Sequence, residues 1–517
     1  MTRNEGNRAH RHPDAVAYLE GLTEGEAAVH PPLVRRHGDG FTQYWLEGGE
    51  VRSRDIGRDG LPTAGLRPDG ALPGAVPAEF GPLLPRLAAD LASGAPDLDG
   101  GGRALRDASL GGGAAALKLL LERLDTTLPA PECAACGRPM ARHAVRKRSW
   151  LTRLGRVEVK RSYFRCRSCG GGCFPLDRAL GLEGGTVTPG MESVMAETAP
   201  LMSFEAAGRH VANLAGVRAS PSSLRRWSLK LGEAAQRFER EEVLDGRPLE
   251  PRMYLSIDGT GIPMRKDETE GVRGRQADGT SKSREAKLAV IYTAGGRDPE
   301  TGAALKDRGS ESVSCLIDSA AAPSGGREPS AFAARLDREA RRRGLHDADE
   351  LVVVSDGAEW IRSACDEIFG GRKVTFVLDM FHALEYAADA VRAILPAGAE
   401  RDRRFGEVRA DIEAGRVARA VRELEPFSAR HGEVAACCRY FRGNMERMRY
   451  DEYRARGIQV GSGVVEAGCR TFGLRLKRSG ARWSKRGANA MLALKTLVMN
   501  LRLPDFLEWR ANQAIAA

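Results

Sequence analysis

Between Met253 and Asp379 the apolar positions gather into short runs, MYLSID, AKLAVIYT, SVSCLID, LVVVSD and VTFVLD, most of which end on an acid. Runs of this length, rich in Val, Ile, Leu and Tyr and bounded by turn-forming residues, predict buried β-strands. A helical repeat, AFAARLDREARRR, separates the third run from the fourth, and a second helix separates the fourth from the fifth. Three strands, a helix, a strand, a helix and a strand place residues 249–503 in the α/β class. From residue 383 to about 455 no strand pattern recurs, which predicts a helical insertion, and GSGVVEAGCRTFGLRLK then passes from loop to helix. Residues 504–517 remain as a tail.

Upstream the periodicity changes twice. Residues 183–248 read as helices: MESVMAETAPLM, SFEAAGRHVANLAGV and, after Ser220-Pro221, SSLRRWSLKLGEAAQRFERE. A short helix, a tight turn and a basic second helix outline a helix-turn-helix-like DNA-binding region, with Arg225, Arg226 and Lys230 as candidate groove or phosphate contacts; plain packing is the competing reading. Residues 129–182 carry two close cysteine pairs around a β-type segment, RVEVKRSYFRC. Residues 79–128 form a helical segment, PLLPRLAADLA and AAALKLLLERLDTTL, parted by the breaker-rich stretch 93–102. Residues 1–78 lack sustained periodicity apart from an apolar patch at Phe41, Tyr44, Trp45 and Leu46, and read as a flexible arm.

The 517 residues are enough for about three domains, and 42% hydrophobic residues suffice for a sizeable core. A formal net charge of +10 favours a polyanionic partner. No run approaches the roughly 20 apolar residues that span a bilayer, and the first residues lack the apolar segment of a secretion signal, so a cytoplasmic, nucleoid-associated protein is expected.

Four of the ten cysteines change the picture most. Cys133-x2-Cys136 and Cys166-x2-Cys169 set two pairs of soft thiolates on knuckles flanking a hairpin, the spacing of a tetrahedral structural zinc site. Four thiolates leave no coordination position for water, so the expected Zn²⁺ is structural. Cys173 is an alternative to Cys169, and His143 reads as a hairpin side chain.

The second constellation is acidic. Asp258 ends an apolar run and enters a Gly-containing turn; Asp356 follows LVVVS in the same way. Two acids at strand ends of one sheet can hold a hard cation such as Mg²⁺ or Mn²⁺, although a strand-end Asp is as often a turn former or helix cap. Glu466 opens a segment carrying Arg470, Arg475, Lys477, Arg478, Arg482, Lys485 and Arg486, which reads as one helix laid along phosphate. Carboxylates for metal beside cations for a backbone are what phosphodiester chemistry requires.

At these residues the sequence stops being generic. SIDGTGIPM, TEGVRGRQADGTSKSREAKLAVIYT, SDGAEWI, LDMFHALEY and GSGVVEAGCRTFGLRLKRSGARWSKRGANAMLAL, in that order, resemble the ISKra-type transposases of bacterial insertion sequences over roughly residues 130–505. The resemblance implies a ribonuclease H-like DDE domain, related to the Mutator-like transposases, with a helical insertion ahead of the last acid. Asp258, Asp356 and Glu466 fall on its first, second and third acids. Asp379 and His382, in DMFH, look like the acid-x2-His pair that Mutator-like enzymes carry beside the active site; Asp379 is also an alternative second acid, and the place of DGAEW after the fourth strand favours Asp356. Nothing of the resemblance extends to residues 1–78.

The function expected from this reading is metal-dependent cleavage of double-stranded DNA at an element's terminal repeats, then transfer of the exposed 3′ hydroxyl to target DNA, with at least a homodimer pairing the two ends. A nuclease or resolvase of the same fold that cuts without joining, and a zinc-ribbon DNA-binding regulator with an inactive catalytic relic, are the alternatives.

Overall fold

A computed structural model describes the backbone of residues 33–37, 40–47 and 50–56, and residues 98–516 apart from 243, 245, 273–275, 277–278, 301–303 and 321–327. The chain divides into two compact units, Met1–Ala78 and Glu79–Ala517. In the first, β1 (Leu33–His37), β2 (Gly40–Glu47) and β3 (Glu50–Ile56) form an antiparallel sheet in that order. These strands lie within the span expected to be a mostly flexible arm, whose other residues are outside the described ones. The patch Phe41, Tyr44, Trp45 and Leu46 is the central strand, paired on both sides, and only two residues separate β2 from β3, as in a hairpin.

Among the described residues the first element of the second unit is α1 (Leu98–Thr127), which runs straight through glycines 100–102 and 111–113. The break expected at 93–102 therefore does not extend over 98–102, and residues 93–97 and PLLPRLAADLA lie outside the described residues. Glycine has a use in α1: a Cβ on Gly113 would stand 3.3 Å from Leu154 Cδ2, so the helix approaches the next hairpin closely. That hairpin is β4 (Ala141–Thr152) and β5 (Gly155–Arg165), with short β6 (Gly172–Cys173) on its edge. Leu117 and Leu121 of α1 pack on Trp150, Val157, Val159 and Leu176, and Asp125 accepts from the amide (2.9 Å) and hydroxyl (2.7 Å) of Ser162.

Helices α2 (Pro175–Ala179), α3 (Pro189–Thr198), α4 (Phe204–Ala215) and α5 (Pro221–Glu241) follow. Ser203 and Ser220 cap α4 and α5 through their side-chain oxygens, and Gly216, at φ 67°, ends α4 in the left-handed conformation that glycine tolerates best.

Strands β7 (Arg252–Pro263), β8 (Ser283–Arg297) and β9 (Ala304–Leu316) lead through α6 (Ala331–Arg342) to β10 (Glu350–Ser355), α7 (Glu359–Phe369) and β11 (Val374–Leu378). They make one five-stranded sheet in the order β11-β10-β7-β8-β9, with β7, β10 and β11 parallel and β8 and β9 antiparallel to their neighbours. Alternation along the strands sends Met253, Leu255, Ile257, Leu351 and Val353 to the face covered by α6 and α7. Tyr254, Val352, Val354 and Val377 point to the opposite face.

That opposite face is covered by an all-helical remainder: α8 (Met380–Ile394), α9 (Ala399–Glu413), α10 (Val417–Leu424), α11 (Gly432–Asn444), α12 (Tyr450–Ala455), α13 (Gly463–Leu476), α14 (Lys485–Met499) and α15 (Leu503–Ala516). The chain is thus mixed α/β with a helical C-terminal region. Among the described residues no helix is long and apolar enough to cross a membrane.

Candidate active site and metal centre

The acids meet because of register. In the parallel pairs, Ile257 stands beside Ser355 and Ser355 beside Leu378, so the next residues come abreast: Asp258 within β7, Asp356 just past the end of β10 and Asp379 just past the end of β11. Alternation puts Asp258 on the face of Tyr254, opposite α6 and α7, and Asp356 and Asp379 follow Val354 and Val377 of that same face. One expectation needs correcting: β7 does not stop at Asp258 but continues to Pro263 against β8. What ends there is β10, so Asp258 is open only on the side of Asp356. Gly259 and Gly261 lie within that continuation, opposite Lys287 and Glu285 of β8.

Asp258 Oδ1 accepts from the Gly259 amide at 2.6 Å, and Oδ2 lies 3.5 Å from the Cys469 thiol of α13. Burial raises its carboxyl above the usual carboxylate range, and the neighbouring Asp356 adds to the rise; the Gly259 amide, Cys469 and His382 oppose it. A group whose folded pKa is raised stabilises the fold when protonated, and that stability is lost as pH rises through the folded value. In magnesium-free buffer Asp258→Asn is therefore expected to melt higher than wild type at pH 8, with the gap closing as pH falls toward 4. Calorimetry finding no gap at pH 8 would contradict the buried placement of this charge.

Asp356 Oδ1 accepts from the Ala358 amide at 2.9 Å, and its carbonyl accepts from the Tyr440 hydroxyl at 2.6 Å, which ties the helical insertion to the acid. Tyr440 stacks on Tyr386 at 4.2 Å, with His382 edge-on to both, and His382 Nδ1 is 3.4 Å from Glu385. The turn after Asp356 depends on Gly357, at φ 83°, where a Cβ would stand 2.6 Å from Leu378 and 2.8 Å from Asn444. Gly357→Ala is expected to cost about 3 kcal/mol in urea unfolding, from strain and crowding together; a loss within error would mean the turn can relax.

Asp379 is of a different kind. Its side chain is buried, Oδ1 accepts from the amides of Phe381 (2.7 Å) and His382 (3.4 Å), and Oδ2 accepts from the amide (3.1 Å) and hydroxyl of Ser462. Donors fill both oxygens, so Asp379 caps α8 and holds the loop ahead of α13. Glu466 stands exposed in the first turn of α13, its Oε1 3.3 Å from that same Ser462 hydroxyl and one helical turn from Cys469. Among the described residues no three carboxylates gather within 4.8 Å of one another as the four thiols do.

The cations divide. Arg470, Lys477 and Arg478 are exposed and line a groove with Thr260, Cys469 and Leu474 beside Asp258, with Lys477 Nζ 2.5 Å from Thr260 Oγ1. Arg482 is exposed in the loop that Trp483 fastens to β7 through Pro263 and Arg265. The single helix expected after Glu466 is corrected: α13 ends at Leu476 and α14 begins at Lys485. Arg475 is also corrected as a DNA contact. It is 3% exposed, with its guanidinium between Phe204 (4.7 Å) and Trp483 (4.9 Å) and its Nε donating to Ala199 O at 2.7 Å. Burial, with Arg478 nearby, pulls its pKa down to about 10. Arg225, Arg226 and Lys230 are exposed on α5. Tyr440, Ser462 and Cys469 were missed in the sequence; GSGVVEAGC offered a signal only for the last two, which sit four before and three after Glu466.

The metal centre is compact. Sulfur separations are 3.4 Å for Cys133 and Cys169, 3.6 Å for Cys136 and Cys166, and 3.8 Å for Cys136 and Cys169. Zinc–sulfur bonds of about 2.3 Å imply tetrahedral edges of about 3.8 Å. Backbone amides draw the Cys133 and Cys166 thiols down, Cys166 to about 6, while hydrogen bonding to these two holds the Cys136 and Cys169 thiols up. These four side chains can hold a structural metal such as zinc. Cys173 lies instead against Met140, 3.7 Å from its sulfur, and His143 is edge-on to Tyr163.

A family model described as "Uncharacterised protein family (UPF0236)" matches residues 332–512. The match takes in Asp356, Asp379, Glu466 and the basic residues after it, and starts beyond Asp258. No curated protein matches the chain.

Proposed function

We propose that the chain is a DDE transposase of the ISKra type, with a ribonuclease H-like catalytic domain that cuts DNA at element ends and joins it to target DNA. The observation that carries this reading is the placing of Asp258 on β7 abreast of Asp356 at the end of the adjacent parallel strand β10, where α13 brings Glu466 and a basic groove. Strand order β11-β10-β7-β8-β9, with three antiparallel strands followed by two parallel to the first, supports the ribonuclease H-like assignment. The motifs from SIDGTGIPM to GSGVVEAGCR support the transposase assignment.

The donor set suits Mg²⁺ or Mn²⁺, since hard cations prefer carboxylate oxygen. Bound cations would supply activation of the attacking oxygen and stabilisation of the leaving one. The chain's own residues do the rest. Arg470, Lys477, Arg478 and Arg482 hold the backbone of the strand to be cut. Asp379 and Ser462 fix the start of α13, whose first turn carries Glu466, and His382 lies in the first turn of α8. Pairing of two element ends calls for at least two chains. Incubation with the DNA that flanks the gene and Mg²⁺, with cut and joined ends mapped, tests the reading: free ends without joined product would indicate a nuclease, and intact DNA a regulator.

A further inference from the structure

Helix α5 carries a feature that catalysis does not use. Arg226, Lys230, Glu233, Arg237 and Arg240 recur at four- and three-residue steps, which at 3.6 residues per turn places them within about 40° of one line. The opposite side of the helix, Leu224, Leu231, Ala235 and Phe238, is buried. It cannot rotate away, because a Cβ on Gly232 would stand 2.2 Å from the Ala490 carbonyl of α14.

The stripe's charge is unbalanced. Glu233 is paired with Arg486 at 2.5 Å, and Arg510 of α15, which lines the same hollow, is paired with Glu192 at 2.6 Å. Near the end of the helix Glu239 is paired with Arg335 and Glu242 with Arg502, which leaves Glu241 as the exposed acid there. Among the described residues no carboxylate lies within ion-pair distance of Arg226, Lys230, Arg237 or Arg240, all of them exposed. The indoles of Trp227 and Trp509 line the adjoining hollow with Lys230 and Arg237.

We propose that α5 lies lengthwise on duplex DNA as a phosphate-tracking surface, and does not insert its N-terminal tip into a groove to read bases. This deepens the reading of DNA as partner and rests on it. From Arg226 to Arg240 the stripe spans about 21 Å. That length of duplex carries about a dozen phosphates, so each of the four cations has partners within reach. A tip-first helix-turn-helix would instead concentrate its contacts at Ser222, Arg225 and Arg226, leaving Arg237 and Arg240, three to four turns away, without a role.

The test uses the full, zinc-loaded chain without magnesium, with fluorescence anisotropy of 30-base-pair duplexes read across KCl concentrations. One duplex carries an element end and the other a scrambled sequence. Removing Arg226, Lys230, Arg237 and Arg240 together by Ala should weaken binding to both duplexes by about 100-fold or more and lower the log–log salt slope by about three to four. The preference for the element end should remain. Arg237→Glu with Arg240→Glu, far from the helix tip, should lower both affinities on its own, while Arg225→Ala should leave the slope unchanged. An unchanged slope in the four-fold variant overturns the proposal, as does a loss confined to the element-end duplex, which would mean base reading. Because the assay contains no magnesium and scores no cleavage, failure here is separable from failure of the catalytic reading.

Discussion

Asp258→Ala, Asp356→Ala and Glu466→Ala are each expected to lower magnesium-dependent cleavage of element-end DNA by at least about three orders of magnitude, roughly 4 kcal/mol of transition-state stabilisation. Folding should be nearly unaffected. Asp258 is already raised by burial and by Asp356, so its negative charge opposes the fold rather than supporting it, and Glu466 is exposed. Asp379→Ala should behave in the opposite order. Its carboxylate satisfies the amides of Phe381, His382 and Ser462, and removing it strands buried donors at about 1–3 kcal/mol each. Thermal melting therefore separates the two roles. A stable, inactive Asp379→Ala beside an active Asp356→Ala would move the second catalytic acid to Asp379. Cleavage retained by all three of the first variants would remove the enzyme assignment and leave a DNA-binding regulator.

How legible these features were depended on how local their causes are. Asp356 could be read because LVVVS stops abruptly, and the structure ends β10 at Ser355. The same signature at Asp258 was misleading, since Gly259 and Gly261 serve a continuing strand whose partner, β8, lies about 30 residues away. The strands β1–β3 escaped notice because glycine is abundant everywhere in the chain, which hides its meaning in a hairpin. Arg475 shows the opposite error. A cation in a basic run reads as exposed, yet Phe204, Trp483 and the Ala199 carbonyl at the end of α3 enclose it, and a contact with a residue 276 positions away leaves no trace in local pattern. Register was equally invisible: the abreast placement of Asp258, Asp356 and Asp379 depends on how three strands align, which periodicity does not specify.

The cysteines lie at the legible extreme, because each knuckle is built from residues three apart, and their metal carries the other large expected effect. Purified, fully reduced protein should contain about one zinc per chain. The knuckle end of the hairpin has little else to hold it: Cys133, Met140 and Cys166 form its core, with Phe164 and Cys173 against them. Zinc binding by four thiolates is worth about 10–16 kcal/mol in small zinc peptides at neutral pH, far more than a core of that size supplies. The far end of the same hairpin is independent of it, because Trp150, Val157 and Val159 pack on α1 and α2. Loss of metal should thus melt the hairpin from one end only. In hydrogen exchange, Cys166→Ser is expected to deprotect the knuckle amides of Gly137 and Gly170, which bond to Cys133 O and Cys166 O, while Val157 and Val159 keep their protection. Elemental analysis finding no zinc, or knuckle amides that exchange alike in the variant and wild type, would show that these thiols are held by packing alone.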